Sequence, residues 1–165
     1  MTESSVLWDT NGTGDGSASG YTEAQLLTVF RALFAVTNGG GGAPEYANKL
    51  AVSGATSPVS VATGAAVVYG AVYVNDAALT VAIPTPTTAT RIDRIVLRAS
   101  WSAQTVRITR IAGSEGGAAP ALTQSAGTTW DVPLAQVSIT TGGAITLTDE
   151  REWLGVVGVG AVTTA

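Results

Sequence analysis

The chain has no cysteine, no histidine and a single lysine, and it carries only 8 basic and 12 acidic residues in 165 positions. Without cysteine there is no disulfide framework, no thiolate nucleophile and no sulfur-based zinc site. The redox compartment is therefore not readable. Without histidine the commonest general base is gone, leaving Ser or Thr with Lys49, or a carboxylate pair. Neither arrangement is forced by spacing, so no catalytic residue, no cofactor and no enzymatic activity are expected. The net charge of −4 argues against a nucleic-acid partner, which would demand a positive surface to displace phosphate counterions. No run approaches the roughly 20 apolar residues that span a bilayer, so no membrane insertion is expected. The opening MTESSVLWDTNG is acidic and polar where a secretion signal would be basic and then apolar.

What is abundant is Ala, Val, Thr and Gly, a composition suited to pleated surfaces and tight turns. Residues 9–20, DTNGTGDGSASG, read as a loop. Asp9, Asn11, Thr13 and Asp15 begin like a calcium loop, but Gly20 stands where the bidentate glutamate belongs, and turn chemistry explains them equally well. No metal site is assigned. Thr22 with Gln25 forms a capping box, and Leu26, Leu27, Val29, Phe30, Leu33 and Phe34 recur at helical steps. Their apolar stripe is broad enough to dock on the chain's own body or on a helix bundle around an oligomer axis. Asn38 and glycines 39–42 end the helix, and the glycine run reads as a flexible joint.

Short valine-rich segments at 49–53, 58–62, 65–69, 71–75 and 78–83 follow, punctuated by glycine and proline. Pro84 and Pro86 then interrupt pairing. Five of the eight basic residues lie in the hairpin RIDRIVLRASWSAQTVRITRIAG. With Ser102-Ala103 as its turn, Ala99 opposes Val106, Leu97 opposes Ile108 and Ile95 opposes Arg110 on a core face, while Arg98 opposes Arg107 on the other. A four-residue turn with shifted register is the alternative, because Ser-Ala lacks the glycine or asparagine that primed turns prefer. Facing arginines need a carboxylate between or beside them. Glu115, Asp131, Asp149, Glu150 and Glu152 are the candidates, from the same chain or across a subunit contact; the last three otherwise read as solvated charges. Residues 113–129 read as a loop, and PLAQVSIT with AITLTDER as a hairpin tipped by Thr141–Ala144. Trp101 falls on the core face, although it and Trp130 have the chemistry of a sugar platform. The final segment, WLGVVGVGAVTTA, has no charge and should be buried, paired or handed to a partner.

Taken together, GYTEAQ, NKLAVSG, SPVSVATGAAVVYG, RIDRIVLR, TVRITRIAG and PLAQVSIT with a closing DER resemble phage structural proteins of the tail-fibre and baseplate type. RIDRIVLR and PLAQV are the most specific pieces. The resemblance implies a β-rich body with an N-terminal helix, assembled as a homotrimer in a virion and lacking catalytic residues. Arg91, Asp93, Arg94, Arg98, Pro133, Leu134 and Gln136 match as structural positions. Such proteins often continue into a long fibre, whereas this chain ends about a dozen residues after DER, which suits an adaptor or a capsid decoration protein.

The expected fold is mainly β (α+β): an antiparallel β-sandwich or small barrel of about eight to ten strands, preceded by one N-terminal helix. Residues 1–42 would be loop, helix and joint, 43–152 the β-rich body, and 153–165 an apolar assembly tail. The expected partners are further copies of this chain, other virion proteins of tail or capsid, and a host-surface glycan as a third reading. The residues expected at these contacts are Leu26, Phe30, Leu33, Phe34, Arg94, Arg98, Arg107, Trp153, Val156, Val157 and Val159.

Overall fold

The computed structural model describes residues 23–34, 41–44 and 46–154. Thr22, residues 9–20 and the tail from 155 onward, with the expectations attached to them, lie outside these. The element order is α1 (Glu23–Phe34), β1 (Gly41–Gly42), β2 (Val52–Ser53), β3 (Val59–Val61), β4 (Gly64–Val68), β5 (Ala71–Asn75), β6 (Leu79–Val81), β7 (Arg91–Ser100), β8 (Thr105–Ile111), β9 (Gln124–Ser125), β10 (Thr129–Ile139) and β11 (Ile145–Asp149). The largest sheet runs β11-β10-β7-β8, with β9 adding to β10; two three-stranded sheets, β1-β4-β5 and β2-β3-β6, face it. All strand pairs in these sheets are antiparallel. The result is a sandwich rather than the alternative small barrel, because β5 and β8 come near one another without pairing and the sheet never closes.

Alternation builds the interior. Ile95, Leu97 and Ala99 of β7 meet Val106 of β8, Val132, Val137 and Ile139 of β10, and Val59, Val61, Ala66 and Val68 from the facing sheets, in one core with Leu50 and Ile83. Each fully buried Val, Leu or Ile contributes on the order of 2 kcal/mol over an exposed one. The β7–β8 register is the one alternation requires: Ile95 faces Arg110, Leu97 faces Ile108 and Arg98 faces Arg107. Its turn spans four residues, Trp101–Gln104, without the register shift that such a length could have brought. Gln104 takes a left-handed backbone at φ 50°, doing the work a glycine would do more cheaply.

Two features depart from expectation. Gly41 and Gly42 are not a free joint: they pair with Val68 and Val67 and are buried. A side chain at Gly41, where φ is 112°, would place its Cβ 1.8 Å from the Val67 carbonyl oxygen, so glycine is there for close approach. The body also reaches past residue 152. Ala43 donates to the Glu152 carbonyl at 2.8 Å, Leu154 donates to the Ala43 carbonyl at 3.1 Å, and Trp153 forms a parallel bridge with Ala43. Thus the two ends of the β body are tied at one edge of the β1-β4-β5 sheet.

Pro133 sits inside a central strand, where its missing N–H would break a ladder. A register shift between Pro133 and Ala135 absorbs it, so that Val132 and Leu134, and after the bulge Val137 and Ile139, all face the core.

Candidate functional site

The arginine hairpin places two kinds of side chain on two faces of the main sheet. On the face away from the core, Arg94, Val96 and Arg98 alternate along β7. Val96 is nevertheless fully buried. The face is partly covered by the β8–β10 connection: the Pro120 carbonyl accepts from Arg94 Nη1 at 2.6 Å, and Thr123 and Asp131 exchange backbone and side-chain bonds at 2.8 and 2.9 Å.

The carboxylates that the arginines require come from this chain. Arg98 grips Asp131 through Nε–Oδ1 at 2.7 Å and Nη2–Oδ2 at 2.8 Å, with Asp131 directly opposite on β10 and fully buried. Arg94 grips Glu150 through Nε–Oε2 and Nη2–Oε1, both at 3.0 Å, and Gln136 Nε2 donates to the same Oε1 at 2.6 Å. Such forked, charge-assisted bonds fix orientation as well as adding energy. Glu150 is therefore part of an internal network, not a solvated end-of-strand charge. Asp149 is half exposed and forks with Arg151, whose donated hydrogen bonds hold its carboxyl below the usual range despite partial burial. Arg107 remains. Among the described residues it makes no ion pair; Nη1 donates to the Val106 carbonyl at 2.8 Å, and the residue is exposed.

A second cluster was not foreseen. Asp93 lies on the core face at the end of the sheet and is fully buried. It accepts from Arg91 Nε at 2.7 Å and Nη2 at 3.0 Å, from Arg110 Nη1 at 2.7 Å and from the Gly113 N–H at 2.9 Å. Burial works against its charge, but the bonds from Arg91, Gly113 and Arg110 outweigh it and hold the carboxyl below its ordinary value. The signal was present in sequence: Asp93 shares parity with Ile95 and Leu97, and a carboxylate on that face needs partners. Glu115 was also missed in its true role. It accepts the backbone N–H groups of Thr87 (2.9 Å), Thr88 (2.7 Å) and Ala89 (3.3 Å) together with the Thr88 hydroxyl, and these bonds lower its pKa to about 2. It ties the proline-broken segment before β7 to the loop after β8.

The aromatic residues converge at the other end of the sandwich. Tyr69 meets Trp101 edge-on at 5.2 Å between ring centroids and Trp130 at 4.5 Å, and the Arg31 guanidinium of α1 lies 3.8 Å over its ring. Helix α1 therefore docks on its own body, its Leu27 carbonyl against the Tyr69-Gly70 turn. Trp101 and Trp130 pack against the core, so neither is a free sugar platform, although Trp101 lines a cleft of about 300 Å³ with Leu27, Tyr69, Val72 and Gln104. Of the expected helix contacts, Leu26 and Phe30 are half-buried and Leu33 is 60% exposed. The Phe34 side chain and Val156, Val157 and Val159 lie outside the described residues.

Trp153 is 43% exposed, with Arg151 at 4.7 Å and Lys49 at 5.6 Å from its ring. The remaining uncovered apolar side chains include Val72 and Val74, neighbours on the outer face of β5. Among the described residues no group of three or more carboxylates or other ligands is disposed to hold a metal, and no described helix is long and apolar enough to cross a membrane. No known protein family, curated protein or solved structure matches the chain.

Proposed function

We propose that the protein is a non-enzymatic structural component of a bacteriophage virion, assembled as a homotrimer in the tail, baseplate or fibre. The reading rests first on the resemblance of RIDRIVLR, PLAQV and DER to tail-fibre and baseplate proteins. It draws support from the distribution of polar and apolar groups. Four of the five hairpin arginines are engaged inside the chain, so the body's strongest polar chemistry holds the fold together. Exposed apolar side chains are also present: Val72 at 57% and Val74 at 58% exposure, on an edge strand without a charge, together with Leu33 and Trp153. The observation that carries the reading is this uncovered valine edge, which would adhere non-specifically if left bare. Covering it in a defined assembly removes that liability and gives on the order of 1 kcal/mol per valine, since each is already nearly half-buried.

Light scattering of the purified full-length chain should give three times the monomer mass; a stable monomer at high concentration contradicts the proposal. Imaging of intact particles locates the protein. Density at the tail or baseplate agrees with the assignment, whereas density on the head shell replaces it with capsid decoration.

A further inference from the structure

We infer that the cleft between the β4–β5 and β7–β8 turns binds one sugar ring that carries a carboxylate, with Arg31 of α1 taking the carboxylate and Gln104 and Thr105 the ring hydroxyls. This is independent of the homo-oligomer reading. Arg31 is the first observation. Five arginines of the body, Arg91, Arg94, Arg98, Arg110 and Arg151, each reach a carboxylate of this chain. Arg31 does not. Its guanidinium lies 3.8 Å from the Tyr69 ring centroid, and among the described residues it has neither a carboxylate nor a hydrogen-bond acceptor, its Nε being buried without one. A partly buried guanidinium has lost solvation that the face of a tyrosine ring replaces only in part. An incoming carboxylate supplies the missing acceptor and a charge-assisted bond.

The cleft beside it suits a ring with polar edges. It encloses about 300 Å³, and its walls include Leu27, Tyr69, Ala99, Trp101, Gln104 and Thr105. Leu27 stands one helical turn before Arg31 and Tyr69 lies under the guanidinium, so the positive charge is at the α1 end of the cleft. Tyr69 and Trp101 meet edge-on at 5.2 Å and offer apolar ring surface to the C–H face of a sugar. The volume is at the low end for ligand sites, which favours one ring over an extended chain. Tyr69 and Gln104 also share a backbone peculiarity, each standing in the left-handed region at φ 50°. Glycine is the unstrained residue there, and a bulky one is an outlier. Both turns nevertheless keep a large side chain, and both side chains line the same cleft. The Gln104 amide, which donates and accepts, and the Thr105 hydroxyl make no hydrogen bond to the described residues. An apolar acid would leave these two groups unused, and a neutral sugar would leave Arg31 unused.

The test titrates the full-length protein with the methyl glycosides of glucuronic and galacturonic acid and with their neutral glucose and galactose counterparts, followed by heteronuclear NMR. At least one uronide should shift the Gln104 side-chain amide and the Trp101 indole N–H, and should bind on the order of tenfold more tightly than its neutral counterpart, the ratio a charge-assisted bond supplies. Arg31→Met should bring the two to equal affinity, with the α1 amides still protected from exchange as the sign that the helix stays docked. Gln104→Gly should relieve the strained turn, raise Tm and weaken uronide and neutral sugar alike. No shift with either uronide overturns the inference. So does a uronide preference that survives Arg31→Met, and so does benzoate shifting the same signals as tightly as the uronide, which would make the cleft a site for apolar acids. If Arg31→Met releases α1, Gln104→Gly decides alone, and unchanged uronide affinity in that variant overturns the inference. A monomer by light scattering removes the homo-oligomer reading and leaves this one standing.

Discussion

Replacing Asp93 by Asn should be the most damaging conservative change in the body. The carboxylate is fully buried and accepts four hydrogen bonds, three from the guanidinium groups of Arg91 and Arg110 and one from the Gly113 N–H. An asparagine oxygen can keep the Gly113 bond and one arginine bond, but its amide then points a donor at another donor. Breaking a buried ion pair from one side costs about 3–5 kcal/mol. Here the lower end applies, because the side chains of Arg91 and Arg110 are 11% and 25% exposed and regain some water. A loss of about 3 kcal/mol corresponds to roughly 6–12 °C in Tm for a domain of this size. Arg110→Met is the control. It leaves the Arg91 fork and the Gly113 bond in place and should cost only about 1 kcal/mol. Thermal and urea unfolding by circular dichroism measure both. The pH dependence adds a second signature. The folded-state pKa of Asp93 lies below its ordinary 3.8, so its contribution is present above that pH and disappears as pH falls through the folded value. The deficit of Asp93→Asn should therefore shrink below about pH 3.8. If Asp93→Asn proves no more destabilising at neutral pH than Arg110→Met, the account of the cluster is wrong.

The two facing arginines should behave differently. Arg98→Ala strands a buried Asp131 and should cost about 3 kcal/mol, with faster hydrogen exchange in the 113–125 connection, whereas Arg107→Ala removes an exposed, like-charged neighbour and should stay within about 0.5 kcal/mol. Glu115 lies well below its ordinary 4.5, at about 2; its stabilisation is complete above pH 4.5 and is lost progressively between 4.5 and 2. Glu115→Gln should remove that part of the acid sensitivity in unfolding experiments run across this window. Gly41→Ala cannot hold its present backbone against the Val67 carbonyl; hydrogen exchange should show residues 41–43 and 152–154 released while the β7–β10 amides stay protected.

The fold was legible wherever one face of a strand is buried. Alternation together with the Ser102-Ala103 turn position specified the β7–β8 register, since a one-residue slip would have turned Ile95, Leu97 and Ala99 to the wrong face. The rest depended on contacts distant in sequence. Nothing local says that Gly41–Gly42 will pair with β4, because glycine is as suited to a close approach as to a flexible joint. Nor does composition reveal that the 113–125 connection lies across Arg94, Val96 and Arg98; its proline, glycine and alanine describe any loop. The need for a carboxylate beside Arg98 was legible. Its source was not, because β10 lies more than thirty residues away and only the β7–β10 register sets Asp131 opposite Arg98.

The residues behind the tail-protein resemblance turn out to contact one another. RIDRIVLR and PLAQV lie in β7 and β10, adjacent in the sheet, and the DER that begins at the last residue of β11 supplies Glu150 to both Arg94 and Gln136. The Pro133–Leu134 bulge belongs to the same unit, since the Leu134 carbonyl accepts from the Glu150 N–H at 3.0 Å. A sequence pattern made of mutually bonded residues reports how the body is locked, because changing any one member strands the others. It carries no direct information about what the body touches. Surface chemistry must supply that, and the exposed apolar side chains among the described residues include Val72 and Val74 of β5, Leu79 of β6 and Trp153. Assembly therefore has to be tested at these exposed side chains. A variant in the arginine network that abolished assembly would indicate an unfolded body unless its β7–β10 amides stayed protected from exchange.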